Sequence, residues 1–237
     1  MGVLTMFNKL IIIVVIILIG FALAACDRPY SAKQVREALN IRENQTNEVW
    51  VGGVLFRIPS KYKMDNIYVY QEKMRAEKYN DAVKLISFST HGTTWIDPPL
   101  GDPPSSGIYA LTIGAEGGER PDALQRFLER PWLKTRDIPE WGLREYLSEN
   151  YRNASWGDVA FLALDMKTLK GGPIIHYCLD ERLKKGDDNL NLGRCSLSYQ
   201  LPEGPRVQYG INYKLMPRWK EVHKRIVDTI NSFIVHG

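Results

Sequence analysis

The chain is short of the residues from which most reactive centres are built. It has four histidines and three cysteines. The histidines, His91, His176, His223 and His236, are scattered, and none forms the i, i+4 pair of a His-Glu-x-x-His metalloprotease helix. No Cys-x-x-Cys occurs, and His176 near Cys178 supplies only two ligands, so no metal or redox motif is read. A G-x-S-x-G elbow, a Walker loop and a G-x-G-x-x-G turn are also missing, which removes the usual nucleophilic hydrolase and nucleotide-binding signatures. The acidic string Gly186–Gly193 has the composition of a calcium loop with the wrong spacing, and reads as an exposed hairpin tip. Neither sign of charge dominates: 31 Lys+Arg stand against 27 Asp+Glu, interspersed throughout, which argues against a nucleic-acid partner. No cofactor is implied. At 44% hydrophobic, 24% charged and 11% aromatic residues, the composition suits a folded domain, not a disordered chain.

Long apolar runs are also scarce, with one exception at the start. Leu10 to Ala25 carries no charge for sixteen residues, preceded by Lys9 and a free amino terminus. A bilayer span needs roughly 20 apolar residues, so sixteen suit the h-region of a secretory signal better than a membrane helix. The run ends in Leu23-Ala24-Ala25-Cys26. That string resembles the lipobox of bacterial lipoprotein precursors: an aliphatic residue, two small ones, then cysteine. The resemblance implies a diacylglyceryl thioether on Cys26, cleavage between Ala25 and Cys26 by lipoprotein signal peptidase, and an acylated (palmitate-type) new amino terminus. Two or three acyl chains give stable anchoring where one is marginal. The alternative is an uncleaved signal anchor in which Cys26 is incidental. Asp27 resembles the inner-membrane retention signal of enterobacterial lipoproteins, which leans the periplasm-facing anchor toward the inner membrane.

With Cys26 acylated, Cys178 and Cys195 are the remaining thiols of an oxidising compartment. Each lies in a strand-like segment, Pro173–Leu179 and Cys195–Leu201, separated by a charged, Asn- and Gly-rich loop. A disulfide between them would close a loop of about 18 residues and contribute about 3 kcal/mol in the chain-entropy model.

The domain reading is a signal peptide over residues 1–25, a lipid-anchored tether over 26–48 with a short helix at Ala32–Leu39, and one periplasmic domain over 49–237. Strands are expected at Val49–Ile58, Asn66–Gln71, Ala82–Ser89, Gly107–Ala115, Gly157–Lys167, the two cysteine segments, and from Val207 to Tyr213 after the Pro202–Pro205 turn. Residues 91–107 read as a Pro/Gly-rich irregular loop. Pro121–Leu133 reads as a short helix, with Leu124, Phe127 and Leu128 at helical spacing. Leu143–Tyr151 suits either a helical turn or a strand. A closing helix from Pro217 to Val235 carries Trp219, Val222, Ile226, Ile230 and Phe233 on one stripe, with Pro217 in its first turn. The fold class is α+β: antiparallel hairpins with a short middle helix and a C-terminal amphipathic helix, compatible with a pseudo-duplication because each half ends in a helix.

Weaker candidates are structural in their simplest reading. His91, beside Thr93, Thr94, Trp95 and Asp97, is a histidine with no identified nucleophile. Glu116, Glu119 and Asp122 would favour the positive end of the helix that follows them. Six tryptophans and twelve tyrosines suit either a small β-rich core or interface hot spots.

The early segment Val51–Tyr62 (VGGVLFRIPSKY) and the closing pattern Cys195-x-Leu-x-Tyr, Val207-x-Tyr-x-Ile, Trp219-Lys-Glu-Val, Ile230-x-x-Phe233 are similar to immunity lipoproteins encoded with type VI secretion phospholipase effectors. The likeness covers the start and the final third of the chain; residues 90–155 match nothing. It implies a membrane-anchored, non-enzymatic binding protein whose partner is a toxic lipase effector, neutralised by occlusion, and it carries over no interface residue. Two other classes stand beside it: an envelope structural or assembly lipoprotein of a secretion or conjugation complex, and a periplasmic enzyme centred on His91 or His176.

Overall fold

The computed structural model describes residues 29–88, 108–116, 121–149, 158–179 and 193–236. Helix α1 (Ala32–Ala38) opens the described chain, followed by strands β1 (Asn47–Val51), β2 (Val54–Ile58) and β3 (Met64–Val69). Two short helices, α2 (Gln71–Arg75) and α3 (Tyr79–Ala82), lead to β4 (Val83–Phe88) and β5 (Ile108–Gly114). Helix α4 (Ala123–Leu128) precedes β6 (Trp132–Ile138), β7 (Leu143–Ser148), β8 (Val159–Lys167), β9 (Pro173–Leu179), β10 (Arg194–Gln200) and β11 (Arg206–Asn212). A 3-10 turn (Tyr213–Arg218) then feeds helix α5 (Trp219–Asn231).

Nine strands form one antiparallel sheet in the order β3-β4-β5-β11-β10-β9-β8-β7-β6, while β1 and β2 form a separate hairpin. The α+β class expected from the sequence is what the chain adopts. Alternation explains the layering. On β11, Val207, Tyr209 and Ile211 are buried, and their partners Ile113, Leu111 and Ile108 on β5 are buried with them. This face packs under α5, whose Trp219, Val222, Ile226 and Ile230 are each fully buried, and under the β1–β2 hairpin with Val51 and Phe56. The chain end completes the layer. Arg57 donates its backbone N–H to Phe233 O at 2.7 Å, Val235 donates to Leu55 O at 2.9 Å, and Ile234 bridges Phe56, so the residues after α5 run along β2.

Several boundaries differ from the sequence expectation, each for a local reason. Val49–Ile58 is a hairpin, not one strand, because Gly52 (φ 56°) and Gly53 (φ 81°) both take the left-handed conformation of a two-residue turn. Asn66–Gln71 shifts to Met64–Val69, with Gln71 starting α2. The helix expected over Pro121–Leu133 stops at Leu128: Trp132 folds back to donate its indole N–H to Phe127 O at 2.7 Å, and Trp132 onward pairs with β7. Of its three stripe residues only Phe127 is buried; Leu124 and Leu128 are exposed. Leu143–Ser148 resolves as a strand. Pro217 lies in the 3-10 turn, one step before α5. The polar stretch expected as tether is packed from Tyr30 onward, since Val35 of α1 is buried beside Met74 and Ala82 and Ile41 enters the main core. The repeated strand–strand–helix pattern maps onto one continuous sheet in which the two helices do different work: α5 closes the main core, while α4 places Phe127 over Tyr146 and Ala160 in a small cluster of its own.

Phe233→Ala is expected to cost about 3–5 kcal/mol, because it empties a fully buried site at the chain end. Leu128→Ala should stay within about 0.5 kcal/mol although both residues sit on apolar stripes in the sequence. Urea midpoints at unchanged m-value test the pair; equal effects would contradict the packing described.

Candidate functional site

The sequence-predicted residues fall into three groups. Ala25 and Cys26 lie outside the described residues, as do Asp27, His91, Thr93, Thr94, Trp95, Asp97, Glu119 and most of Gly186–Gly193. No helix among the described residues is long and apolar enough to cross a membrane. Cys178 and Cys195 are brought together: they face each other in the β9–β10 register and are joined by a disulfide, with a Cα–Cα distance of 4.0 Å and both residues fully buried. Glu116 does not cap a helix. It accepts a hydrogen bond from the Tyr70 hydroxyl, and burial together with that carboxylate pushes the phenol up to about 12.

Two histidines sit beneath α5. His176 of β9 is fully buried, its ring edge-on to Trp219 at 5.1 Å between centroids, and neither ring nitrogen has a hydrogen-bond partner. His223 of α5 shares a 3.0 Å hydrogen bond between its Nδ1 and the Tyr209 hydroxyl, and lies edge-on to Tyr199, whose own hydroxyl is buried without a partner. Burial, and then the neighbouring His223, lowers His176 to about 3, and burial lowers His223 to about 4. These rings are therefore neutral at pH 7 and closed to solvent, so His176 has no open approach for a substrate. Burial also raises both tyrosines, Tyr199 and Tyr209. Sequence reasoning weighed His176 as a candidate for chemistry and missed His223 as its neighbour; only the register of β9 and the α5 stripe bring the two under one roof.

The solvent-facing features are elsewhere. Leu124 and Leu128, one turn apart on α4, are 40% and 49% exposed, and Leu133 at the start of β6 is 59% exposed. The Arg130 guanidinium lies over the Trp132 ring at 5.0 Å. No described strand pairs with the outer edge of β6.

At the other edge of the sheet, the Arg36 guanidinium of α1 donates to the backbone carbonyls of Met64 (2.5 Å) and Asp65 (3.1 Å) on β3. Beside it opens a cavity of about 250 Å³ lined in part by Arg36, Arg42, Glu43, Tyr62, Lys63 and Asp65. Its loop is fixed by Asn47, which accepts from Arg42 N–H at 2.8 Å and donates to Arg42 O at 2.9 Å and Gln45 O at 3.0 Å. Asn40 and Asn44 take left-handed φ of 52° and 60° there, a conformation that asparagine tolerates better than most residues. The Asn-rich run between α1 and β1 was the signal in the sequence, hidden because the whole stretch was read as tether. Among the described residues no group of three or more metal-ligating side chains converges.

No family model matches the chain, and no curated protein matches it in sequence. Two solved structures are similar in arrangement. One is Smlt3025, an immunity protein of the Stenotrophomonas maltophilia type IV secretion system, at 12% identity and TM-score 0.47, covering 81% of this chain and 94% of that one. The other is the Neisseria meningitidis iron-regulated outer membrane lipoprotein FrpD, at 12% identity and TM-score 0.47, covering 80% and 92%. At that level neither likeness assigns a residue or a partner here.

The buried histidines make stability pH-dependent with a definite sign. Their folded values lie below the ordinary 6.5, so the unfolded chain takes up protons that the folded one refuses. Stability is whole above pH 6.5 and falls as pH drops toward 4, at about 1.4 kcal/mol per pH unit for each histidine. His176→Phe should remove one histidine's share of that slope while leaving stability at pH 7.5 equal or higher, because it replaces an unpartnered polar ring with an apolar one. Urea titrations at pH 7.5, 6 and 5 check this; an unaltered slope in the variant would refute it.

Proposed function

We propose that the chain is a lipid-anchored envelope protein, facing the periplasm, that neutralises a secreted lipase effector by covering its active-site entrance. The observation that carries the reading is Leu23-Ala24-Ala25-Cys26, a lipobox placed directly ahead of a disulfide-stapled antiparallel domain. The acylated Cys26 would hold the inhibitor on the surface its target attacks, raising the effective concentration there without any new contact. Occlusion needs a standard interface of about 1,600 Å² and no chemistry from the inhibitor. Exposed Leu124, Leu128 and Leu133, next to Arg130 and Trp132, supply apolar and cation–aromatic surface of the kind that protein contacts use.

The test is survival of bacteria that receive a periplasmic lipase effector encoded beside this chain's gene. The intact chain should protect them. Cys26→Ala should lower protection by about 100-fold through loss of surface concentration. Leu124→Asp with Leu128→Asp should lower it while the thermal midpoint stays unchanged. Equal killing with and without the chain would end the neutralising reading; copurification with a large envelope complex and no toxin would support an assembly role in its place.

A further inference from the structure

We propose that the cavity beside α1 seats the phosphoethanolamine headgroup of a membrane phospholipid, so that the N-terminal pole of the domain lies on the bilayer. The inference rests on the acylation of Cys26 advanced above and adds a defined lipid contact to it. Chain length supplies the first argument. Tyr30 donates its backbone N–H to Gln71 Oε1 at 2.9 Å, so the fold takes hold four residues after Cys26. Four residues reach at most about 14 Å. The start of α1 therefore cannot leave the neighbourhood of the headgroups. A neighbouring groove, lined in part by Tyr30, Arg36 and Asp65, shares Arg36 and Asp65 with the cavity.

Charge supplies the second argument. Arg36 is committed to the two carbonyls of β3. Arg42, whose Nε donates to Asn40 Oδ1 at 3.1 Å and whose terminal N–H groups have no partner among the hydrogen bonds of the described residues, and Lys63 are the other cations lining the cavity, with Glu43 and Asp65 as carboxylates. None of these four side chains forms an ion pair with a described residue. Arg36 keeps its charge, so three cations and two carboxylates surround one concavity; the two carboxylates would repel a simple anion and can accept from the cationic end of a zwitterion. The phosphodiester accepts from Arg42 and Lys63, and the primary ammonium donates to Glu43 and Asp65. A choline headgroup has no N–H to donate, and a glycerol headgroup brings no cation to the carboxylates. The Asn47 clamp holds the loop before any lipid arrives, which keeps the ordering cost of binding low.

The test uses the native acylated protein in nanodiscs of phosphatidylcholine alone, or of phosphatidylcholine mixed with phosphatidylethanolamine or with phosphatidylglycerol. Amide exchange is followed over residues 41–47 and 60–65. Exchange there should slow by about fivefold in the ethanolamine discs relative to choline discs. Arg42→Ala with Lys63→Ala should abolish that difference, and Glu43→Gln with Asp65→Asn should bring ethanolamine discs down to the choline value. Equal exchange in all three lipids, or equal slowing by phosphatidylglycerol, would overturn the proposal. So would full slowing in choline discs by soluble glycerophosphoethanolamine alone, which would make the cavity a site for a free ligand. Mass spectrometry of the Cys26 peptide separates the failures: an unmodified sulfur removes this proposal together with the anchored reading, whereas an acylated one with indifferent exchange removes this proposal alone.

Discussion

The seam between α5 and the buried face of the sheet is the contact on which the remaining features depend. Trp219, Val222, Ile226 and Ile230 are fully buried in the main core. The helix meets β9, β10 and β11 through His176, Tyr199 and Tyr209, and Trp219 also donates its indole N–H to Trp141 O at 2.8 Å, tying the helix to the turn before β7. Each buried aromatic or branched side chain of that seam contributes about 1.5–3 kcal/mol of apolar transfer. The surface ion pairs add far less. Lys224–Asp228 on α5 and Arg218–Glu221 at its start are exposed, and pairs of that kind contribute roughly 0–1 kcal/mol apiece. Arg136–Glu145 and Arg144–Asp137 differ in placement, since each joins register partners of β6 and β7, and Glu145 is buried.

The same seam explains why two polar rings are tolerated in the core. His176 and His223 fit the layer as flat, neutral rings among Trp219, Tyr199 and Tyr209, and burial disfavours their protonated forms. Packing here favours ring shape over hydrogen bonding at His176, whose two nitrogens are left without partners.

Much of this was legible in the sequence where alternation or a long helical stripe carried the signal. Strands β4, β5, β8, β9, β10 and β11 lie within about two residues of their expected bounds, and all five stripe residues of the closing helix are buried. What was not legible has physical causes. The Gly52-Gly53 turn sits inside an unbroken apolar run, so periodicity alone joined two strands into one. Leu124 and Leu128 keep helical spacing but face water, because α4 is too short to present more than Phe127 to the sheet. The strand order depends on β5 pairing with β11, with β6 to β10 lying between them in sequence, and no local pattern encodes that choice. The cavity beside α1 is built from loop residues whose polarity looked like that of a free linker.

The position of the seam in the chain also sets a schedule. Helix α5, which seals the core, and the Phe233–Val235 segment that runs along β2 follow β11 in sequence, so they are synthesised after the sheet they cover. Until they arrive, the part of the sheet's inner face that meets α5, with Tyr199 and Tyr209 against His223, lacks that cover. Long-range pairing of this sort is slow and leaves apolar surface open meanwhile. Removing the Phe233–Val235 segment would therefore cost more than its own two backbone hydrogen bonds to β2, because it also uncovers the apolar surface that Phe233 and β2 bury together.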